Sequence, residues 1–547
     1  MEEIRFAPFM VAVIFAITIN VQARSVVVKS GYPISELFTE DNTSYIIRKT
    51  IDLKGQSVNL PDKAVLTFKG KGKIVNGKLV GNDSRIEGRG KRFVGVVCEG
   101  TWNMPDISDV VFDREVLSDN QVLKNIENLQ SDYVDNVITL MGPDYFISID
   151  EKNGYGLRLK SHVTLDNRTS IWLRPNSWSQ YDIIQVAKTT DVSIRGGRII
   201  GDVDKHIFVE GKLSAWGHGI NVSAATDVVI ENVKIERCMG DGIAITGMQE
   251  KRLGEYQYAS RNVLVRNCVM DNNRRQGMSI IHAENMVVDG CTFSNTGAIA
   301  TTPPSAGLDI EPNANEKYRQ GVRNVRVSNC HAFGNVGGGI KIQGHWVEDG
   351  QHSIDNVVIE KCNSDGSIDV ASDGVVVRNC RMKSSIVRGS RDEIKMMVFE
   401  DCVWEKGSGV LVYYSGYTNE KGVREGGMID SLIIRRGKIV VEDNQPDTFY
   451  KGAIAFHGGV GGVNHLTCED SEIVIPSSVG EKFNLTKSNN IPDLRFIHCS
   501  ISMPERQLYT RGAKFTNCTI ECKSVDIKED EVNYNASFIG STIILKD

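Results

Sequence analysis

Residues Ser305 to Asn313 read SAGLDIEPN, a Gly followed by two apolar residues one position apart, with carboxylates at Asp309 and Glu311. The same grammar recurs in HGINVSA (218–224), DGIAITG (241–247), QGMSIIH (276–282) and GGIKIQG (338–344). Side chains alternate across a strand, so the paired apolar residues of each phrase point to one side and the variable residues to the other. A second phrase precedes many of these, as in RNVLVRNC (261–268) and RNVRVSNC (323–330). Short alternating strands with Asn, Asp or Gly at the corners, repeated at intervals near twenty residues with insertions, predict a parallel β-solenoid. No single coil can bury its own apolar residues, so stacking on the next coil makes the core.

The repeat runs from about Val137 to Ile520. Cys238, Cys268, Cys291, Cys330, Cys362, Cys380 and Cys402 stand in similar local phrases. One Cys per repeat reads as an inward ladder of small buried side chains, and we expect most of the twelve thiols to be free. Residues 24–136 are expected to form a strand-rich cap with one short helix. Ser118 and Gln121 give that helix a capping box, and Val122, Ile126 and Leu129 fall on one face. Its expected role is to cover the first coil, since an uncapped solenoid exposes strand edges. Residues 137–547 are expected to be the solenoid itself.

The N-terminus carries Arg5, an apolar run and small residues at Val21 and Ala23, the pattern of a signal peptide over residues 1–23 with a cut near Ala23. The run is too short for a confident membrane span, and no Cys precedes Cys98 to accept a lipid. The expectation is an exported bacterial protein, periplasmic, secreted or at the cell surface, monomeric and without stable membrane insertion. A net charge of −6 and a pI near 6.0 give no support for nucleic-acid binding.

The signal peptide, strand-rich cap and repeats resemble the secreted right-handed β-helix proteins of the pectate lyase superfamily. The resemblance covers roughly 400 residues, on the order of several dozen strands' worth of chain. It implies an all-β, right-handed parallel β-helix. That superfamily includes lyases, hydrolases, epimerases and tailspikes, so activity has to be argued from the site. The tight Asp clusters and GHG phrase of its polygalacturonases are not reproduced as a set, although WGHGI (216–220) contains a fragment.

The outward positions of adjacent coils gather Ser279, Asp309, Glu311, Lys341 and Gln343, with Arg274 and Arg275 at the entry corner. His282 and His345 follow two of these strands, and His218 and Asp241 occupy entry positions in earlier coils. Insertions after the same strands bring Tyr256, Tyr258, Tyr318 and Trp346, flat surfaces suited to sugar rings. Each residue also has a plain reading: Asp309 with Lys341 as an exposed cross-strand pair, Asp241 as a turn residue, the arginines as a solvated corner. Density favours a site, since the phrase SIDVASDGVVVRNC (367–380) and later coils show no such concentration.

Two chemistries fit. A lyase acting on a uronic-acid polymer such as pectin or a glycosaminoglycan needs its substrate carboxylate neutralised, a base and an acid. Lys341 or His282 would serve as base, Arg274 and Arg275 would take the carboxylate, and Asp309 with Glu311 would hold Ca²⁺. His218, Asp241, Gln343, His345, Trp346 and Tyr256 would bind the chain. An inverting glycoside hydrolase needs instead a carboxyl pair about 6.5–9.5 Å apart, a span that the alternate strand residues Asp309 and Glu311 can satisfy, with Asp241 a third candidate. The basic residues tip the balance toward a lyase on an anionic polysaccharide. A non-catalytic glycan-binding solenoid is the third class.

Overall fold

A computed structural model describes residues 24–547 except 213, 250–255, 313, 316–317, 345, 348–350, 390–393, 415, 419–423, 427, 443–451, 459–461, 480–483, 488–492, 510–511, 527–535 and 547. For strand residues beside several of these positions only the backbone is described. The expected signal peptide, residues 1–23, lies outside the described residues.

Two compact units divide between Trp102 and Asn103. The first is itself a small parallel solenoid of seven strands, in which Ser44 pairs with Val65 and Val65 with Arg85. The cap expected from its short strands therefore uses the same stacking principle on coils of about twenty residues. The helix α1, Asp119–Leu129, expected with that cap, belongs to the second unit.

The second unit is a right-handed parallel β-helix with three faces, the hand that parallel crossovers adopt. The first face is a 16-stranded parallel sheet running from Asp106–Ser108 to Ser537–Ile539. The second face carries short strands such as Thr292–Ser294 and His331–Phe333, and the third carries the Gly-initiated strands. Second and third faces join in one 25-stranded hydrogen-bonded network, because later strands such as Val403–Tyr414 run around the corner between them.

The corner from the first face to the second is a single residue in the left-handed region. Asn232, Asn267, Gly290, Asn329, Lys361, Asn379, Asp401, Arg436, Asp470, His498 and Asn517 hold it, with φ from +49° to +63°. Asn dominates because its short polar side chain tolerates this backbone better than most. The residue after each corner turns inward, which produces the cysteine ladder Cys268, Cys291, Cys330, Cys362, Cys380 and Cys402, continued by Cys499 and Cys518. Cys238 is not a rung of it. The pairing of Glu236 with Asp271 puts Cys238 level with Asn273, one corner further on, and Val233 takes the ladder position.

All twelve cysteines are buried and free. Each ladder thiol lies near the carbonyl two residues earlier, for example Cys330 Sγ at 3.1 Å from Ser328 O. Every ladder thiol is buried and so shielded from solvent reagents, and burial disfavours the thiolate. Denatured protein should therefore titrate close to twelve thiols without reductant, and native protein almost none; a shortfall of even two in the denatured titration would reveal a disulfide.

Helix α1 closes the first coil. Ser118 Oγ accepts from Gln121 N at 3.3 Å, and Val122, Ile126 and Leu129 are buried. Its side chains replace the missing previous coil. Asn120 pairs with both N–H and C=O of Ser148, at 2.9 and 2.6 Å, and Gln130 accepts from Lys160 N and donates to Arg158 O. An otherwise open sheet edge is thereby satisfied.

A line of residues on the first face also adopts positive φ: His162, Asp191, Asp227, Asn262, Asn285, Asn324 and Asn356. Their side chains stack coil upon coil, as in Asn324 Nδ2 to Asn285 Oδ1 at 3.0 Å and Asn356 Nδ2 to Asn324 Oδ1 at 2.9 Å. Asp135, His162 and Asp191 form a group of metal-ligand types at the start of this line. Its exposed stacking accounts for the proximity without an ion. Among the described residues no helix is long and apolar enough to cross a membrane.

Candidate active site

The floor of the site is seven stacked strands of the third face: β1 (Gln180–Ala187), β2 (Trp216–Ser223), β3 (Asp241–Thr246), β4 (Gln276–Ile280), β5 (Leu308–Ile310), β6 (Ile340–Gln343) and β7 (Ile368–Ala371). Their register aligns one outward row, Gln185, Asn221, Ala244, Ser279, Asp309, Lys341 and Asp369. A second row three residues earlier places Asp182 beside His218, and Asp241 beside Gln276. The strands twist little enough that these rows hold across all seven, at about 4.8 Å per step.

Insertions flank the rows. Residues 201–215 and 295–307 lie before β2 and β5 in the chain. Antiparallel hairpins follow β3, β5 and β6, pairing Met248–Gln249 with Tyr256–Tyr258, Ala314–Asn315 with Tyr318–Arg319, and Trp346–Val347 with Gln351–His352. Tyr258 is half exposed on the first of them. His345 lies outside the described residues, as do the side chains of Tyr256, Tyr318 and Trp346.

Outward here does not mean solvated: Asp241 and Asp309 are both 0% exposed. The bland reading of Asp309 and Lys341 as an exposed pair therefore fails. Asp241 is not merely a turn residue either. It receives Arg275 Nη1 at 2.9 and 3.2 Å and Ser279 Oγ at 2.7 Å, and its N–H donates to His218 Nδ1 at 3.2 Å.

Asp309 is surrounded differently. Gln276 Nε2 donates to its Oδ2, while its Oδ1 is buried with no donor. The Glu311 carboxyl is close enough to act on it electrostatically. Burial and the Glu311 charge hold the Asp309 carboxyl well above the usual carboxylate range, against the lesser pull of Arg275 and Lys341. A proton on Asp309 relieves the repulsion with Glu311, as in other like-charge carboxyl pairs. Asp309 on β5 and Glu311 just past its end stand two residues apart on one side of the chain, so they do not flank a sugar from opposite faces.

Two expected members are elsewhere. The guanidinium of Arg274 lies 4.8 Å from the Phe208 ring, and Nη1 donates to Ser214 O, so it braces the 201–215 loop instead of facing the carboxylates. Charge alone did not fix its direction, because side chains at a corner do not alternate as they do along a strand. His282 Nδ1 sits 2.9 Å from both N and O of Gly321, and burial lowers its pKa. It is a neutral bracket between coils and is not placed to act as a base. Arg275 does join the cluster, but its charge is taken by Asp241. Gln343, two residues past Lys341 on β6, is half-buried beside Ala371 of β7.

Two carboxyls escaped the sequence reading. Asp369, in the phrase said to hold no concentration of charge, occupies the same row as Asp309 and accepts from Ile386 N at 3.1 Å. Asp182 accepts from Gln185 Nε2 at 2.9 Å and Asn221 Nδ2 at 3.2 Å. Burial raises both carboxyls. The signal was present: GSIDVA (366–371) and YDIIQVA (181–187) share the alternating pattern of the other floor strands.

A family model described as "Right handed beta helix region" matches residues 146–318 and 214–346, which agrees with the three-faced solenoid and its hand. Two curated relatives from Bacillus subtilis (strain 168) are similar over part of the chain. The uncharacterized protein YclG is 31% identical over 196 residues, 34% of this chain. The SPbeta prophage-derived uncharacterized protein YorA is 34% identical over 166 residues, 29% of this chain. The match spans only 33% and 28% of these relatives' own lengths. Among solved structures, the A-module of the mannuronan C-5 epimerase AlgE6 from Azotobacter vinelandii aligns at 14% identity and TM-score 0.44, over 78% of this chain and 95% of that one. The tailspike gp49 of Acinetobacter baumannii bacteriophage Fri1, a capsular polysaccharide depolymerase, aligns at 13% and 0.39, over 80% and 63%. The HK620 tailspike of an E. coli bacteriophage aligns at 11% and 0.44, over 80% and 78%.

Proposed function

We propose that the third face is the active site of a glycan-cleaving enzyme in which Asp309 gives its proton to the departing glycosidic oxygen. The observation that carries this reading is a fully buried carboxyl, Asp309, beside a second carboxyl, Glu311, on a floor flanked by inserted loops, an arrangement that raises its pKa. A general acid must hold its proton near neutral pH, and burial beside a like charge achieves that. The orphan Gln276 Oε1 next to it suits a sugar hydroxyl as donor.

Hydrolysis is better supported than β-elimination. The arginines expected to neutralise a uronate are engaged, Arg275 with Asp241 and Arg274 with Ser214 and Phe208. Asp369, two strand spacings or about 9.6 Å from Asp309 along the row at Cα, is a candidate to activate water across the sugar. One observation keeps β-elimination as the second reading: among the described residues no carboxylate oxygen lies within 4.0 Å of Lys341 Nζ, which leaves a cation and potential base beside Asp309. Ca²⁺ at Asp309 and Glu311 fits less well, because Arg275 and Lys341 both act on that pair and burial raises the Asp309 pKa.

The test is incubation with a panel of acidic and neutral polysaccharides, following reducing ends and ultraviolet absorbance. Reducing ends without absorbance are expected. Unsaturated, absorbing products would replace hydrolysis by elimination. Binding to a polymer with neither signal would leave a glycan-binding solenoid, and activity abolished by chelation would restore the metal.

A further inference from the structure

On the second face, the same coils carry a depression of about 280 Å³, near the lower end of the volumes that ligand clefts occupy. Its shape has a local cause. The strand Asn363–Ser364 is only two residues long, so the sheet dips between His331–Phe333 and Arg381. On the far side the strand Val403–Tyr414 shifts register between Trp404 and Gly407, and Lys406 there adopts φ +61°. That bulge lifts Glu405 and Lys406 into a rim.

The charges do not cancel. Glu405 pairs with Arg381 at 2.6 Å, and Asp365 accepts from Gly334 N at 3.1 and 3.2 Å. Among the described residues neither Lys383 nor Lys406 has a carboxylate within 4.0 Å. Phe333 stands on the opposite wall with 45% of its surface exposed. One exposed Phe is ordinary by itself; what sets this depression apart is that the ring faces two cations without carboxylate partners across a concave floor.

We propose that this depression is a second glycan-binding subsite, taking an anionic sugar unit with its apolar ring face on Phe333 and its acidic group on Lys383 and Lys406. The chemistry follows from the lining. A pyranose offers one face of C–H groups to an aromatic ring, and a carboxylate or sulfate supplies the charge that two lysines lack. A neutral sugar would leave those cations unanswered. The subsite rests on the glycan reading of the third face, and it makes the polymer acidic even if cleavage is hydrolytic.

The experiment is native electrophoresis of the full chain through gels containing polygalacturonate, alginate, chondroitin sulfate or hyaluronan, with dextran as the neutral control. At least one acidic polymer is expected to retard the protein and dextran is not. Phe333→Ala and the pair Lys383→Glu with Lys406→Glu should each weaken retardation at least about tenfold, while their melting curves match wild type because the side chains are exposed. Salt should weaken it as well. Retardation by none of the four acidic polymers, or retardation indifferent to both variants, overturns the subsite. Retardation that responds to the variants, without cleavage of any polymer, keeps the subsite and removes the catalytic reading; cleavage without retardation does the reverse.

Discussion

Asp309→Asn is expected to lower turnover about a hundredfold or more, on the order of 3 kcal/mol of barrier, with the solenoid intact. The two effects separate because the amide fits the same hydrogen bonds. Its N–H₂ can donate to Glu311, and its oxygen can accept from Gln276, which now donates to Asp309. Only the transferable proton is gone. Glu311→Gln should show a similar loss, since the carboxylate that keeps the proton on Asp309 disappears. If Asp309→Asn and Glu311→Gln both retained full turnover on the true substrate, the floor would not be the catalytic site.

The same proton makes stability depend on pH. The folded chain holds it above the ordinary value of 3.8, where the unfolded chain gives it up. Stability from this group is therefore complete below about pH 3.8 and is lost as pH rises through the higher folded value. Denaturation midpoints of wild type relative to Asp309→Asn should fall with rising pH across that window. Catalysis should fall in the same direction. Asp182 and Asp369, also raised, leave a residual slope in the variant.

Arg275→Leu is expected to destabilise the fold by about 3–5 kcal/mol, because it strands the Asp241 charge in a fully buried position. Removing both members tests the cause. Arg275→Leu with Asp241→Asn should recover most of the loss, since Asn can still accept from Ser279 Oγ and its backbone N–H still reaches His218. Urea midpoints of the two single variants and the double variant measure the coupling. Additive losses would mean that the pair does not act as a unit and that Arg275 has its main partner elsewhere.

The solenoid was legible because its grammar is local: apolar alternation sets a strand, and an Asn-type corner ends it. The row holding Asp309 and Lys341 was legible for the same reason, as register between equivalent phrases follows from matching their apolar pairs. Corners broke the method. Arg274 and His282 sit where alternation stops, and their directions depend on Phe208 and Gly321, contacts made across the fold. Cys238 shows a subtler failure. IERC and VRNC look alike, yet one phrase precedes the first corner and the other the second. Burial was also invisible, because the groups that enclose Asp309 and Asp241, among them Gln276, Arg275 and Ser279, come from neighbouring coils. Asp369 was legible in principle and was passed over for want of charged neighbours.

The single-residue corner between the first and second faces is constant while the coils between successive corners vary from 18 residues (Ile359 to Val377, 377 − 359) to 39 (Val288 to Val327, 327 − 288). Length is thus free everywhere except along this one seam. Excising residues 362–379 would join Lys361 to Cys380 with the seam unbroken, removing one rung and Asp369 with it. The groove can lengthen or shorten only in whole rungs of about 4.8 Å. The reach of this floor is therefore quantised, and copying or dropping a coil changes it by one rung while the stacking rule of the remaining coils stays the same.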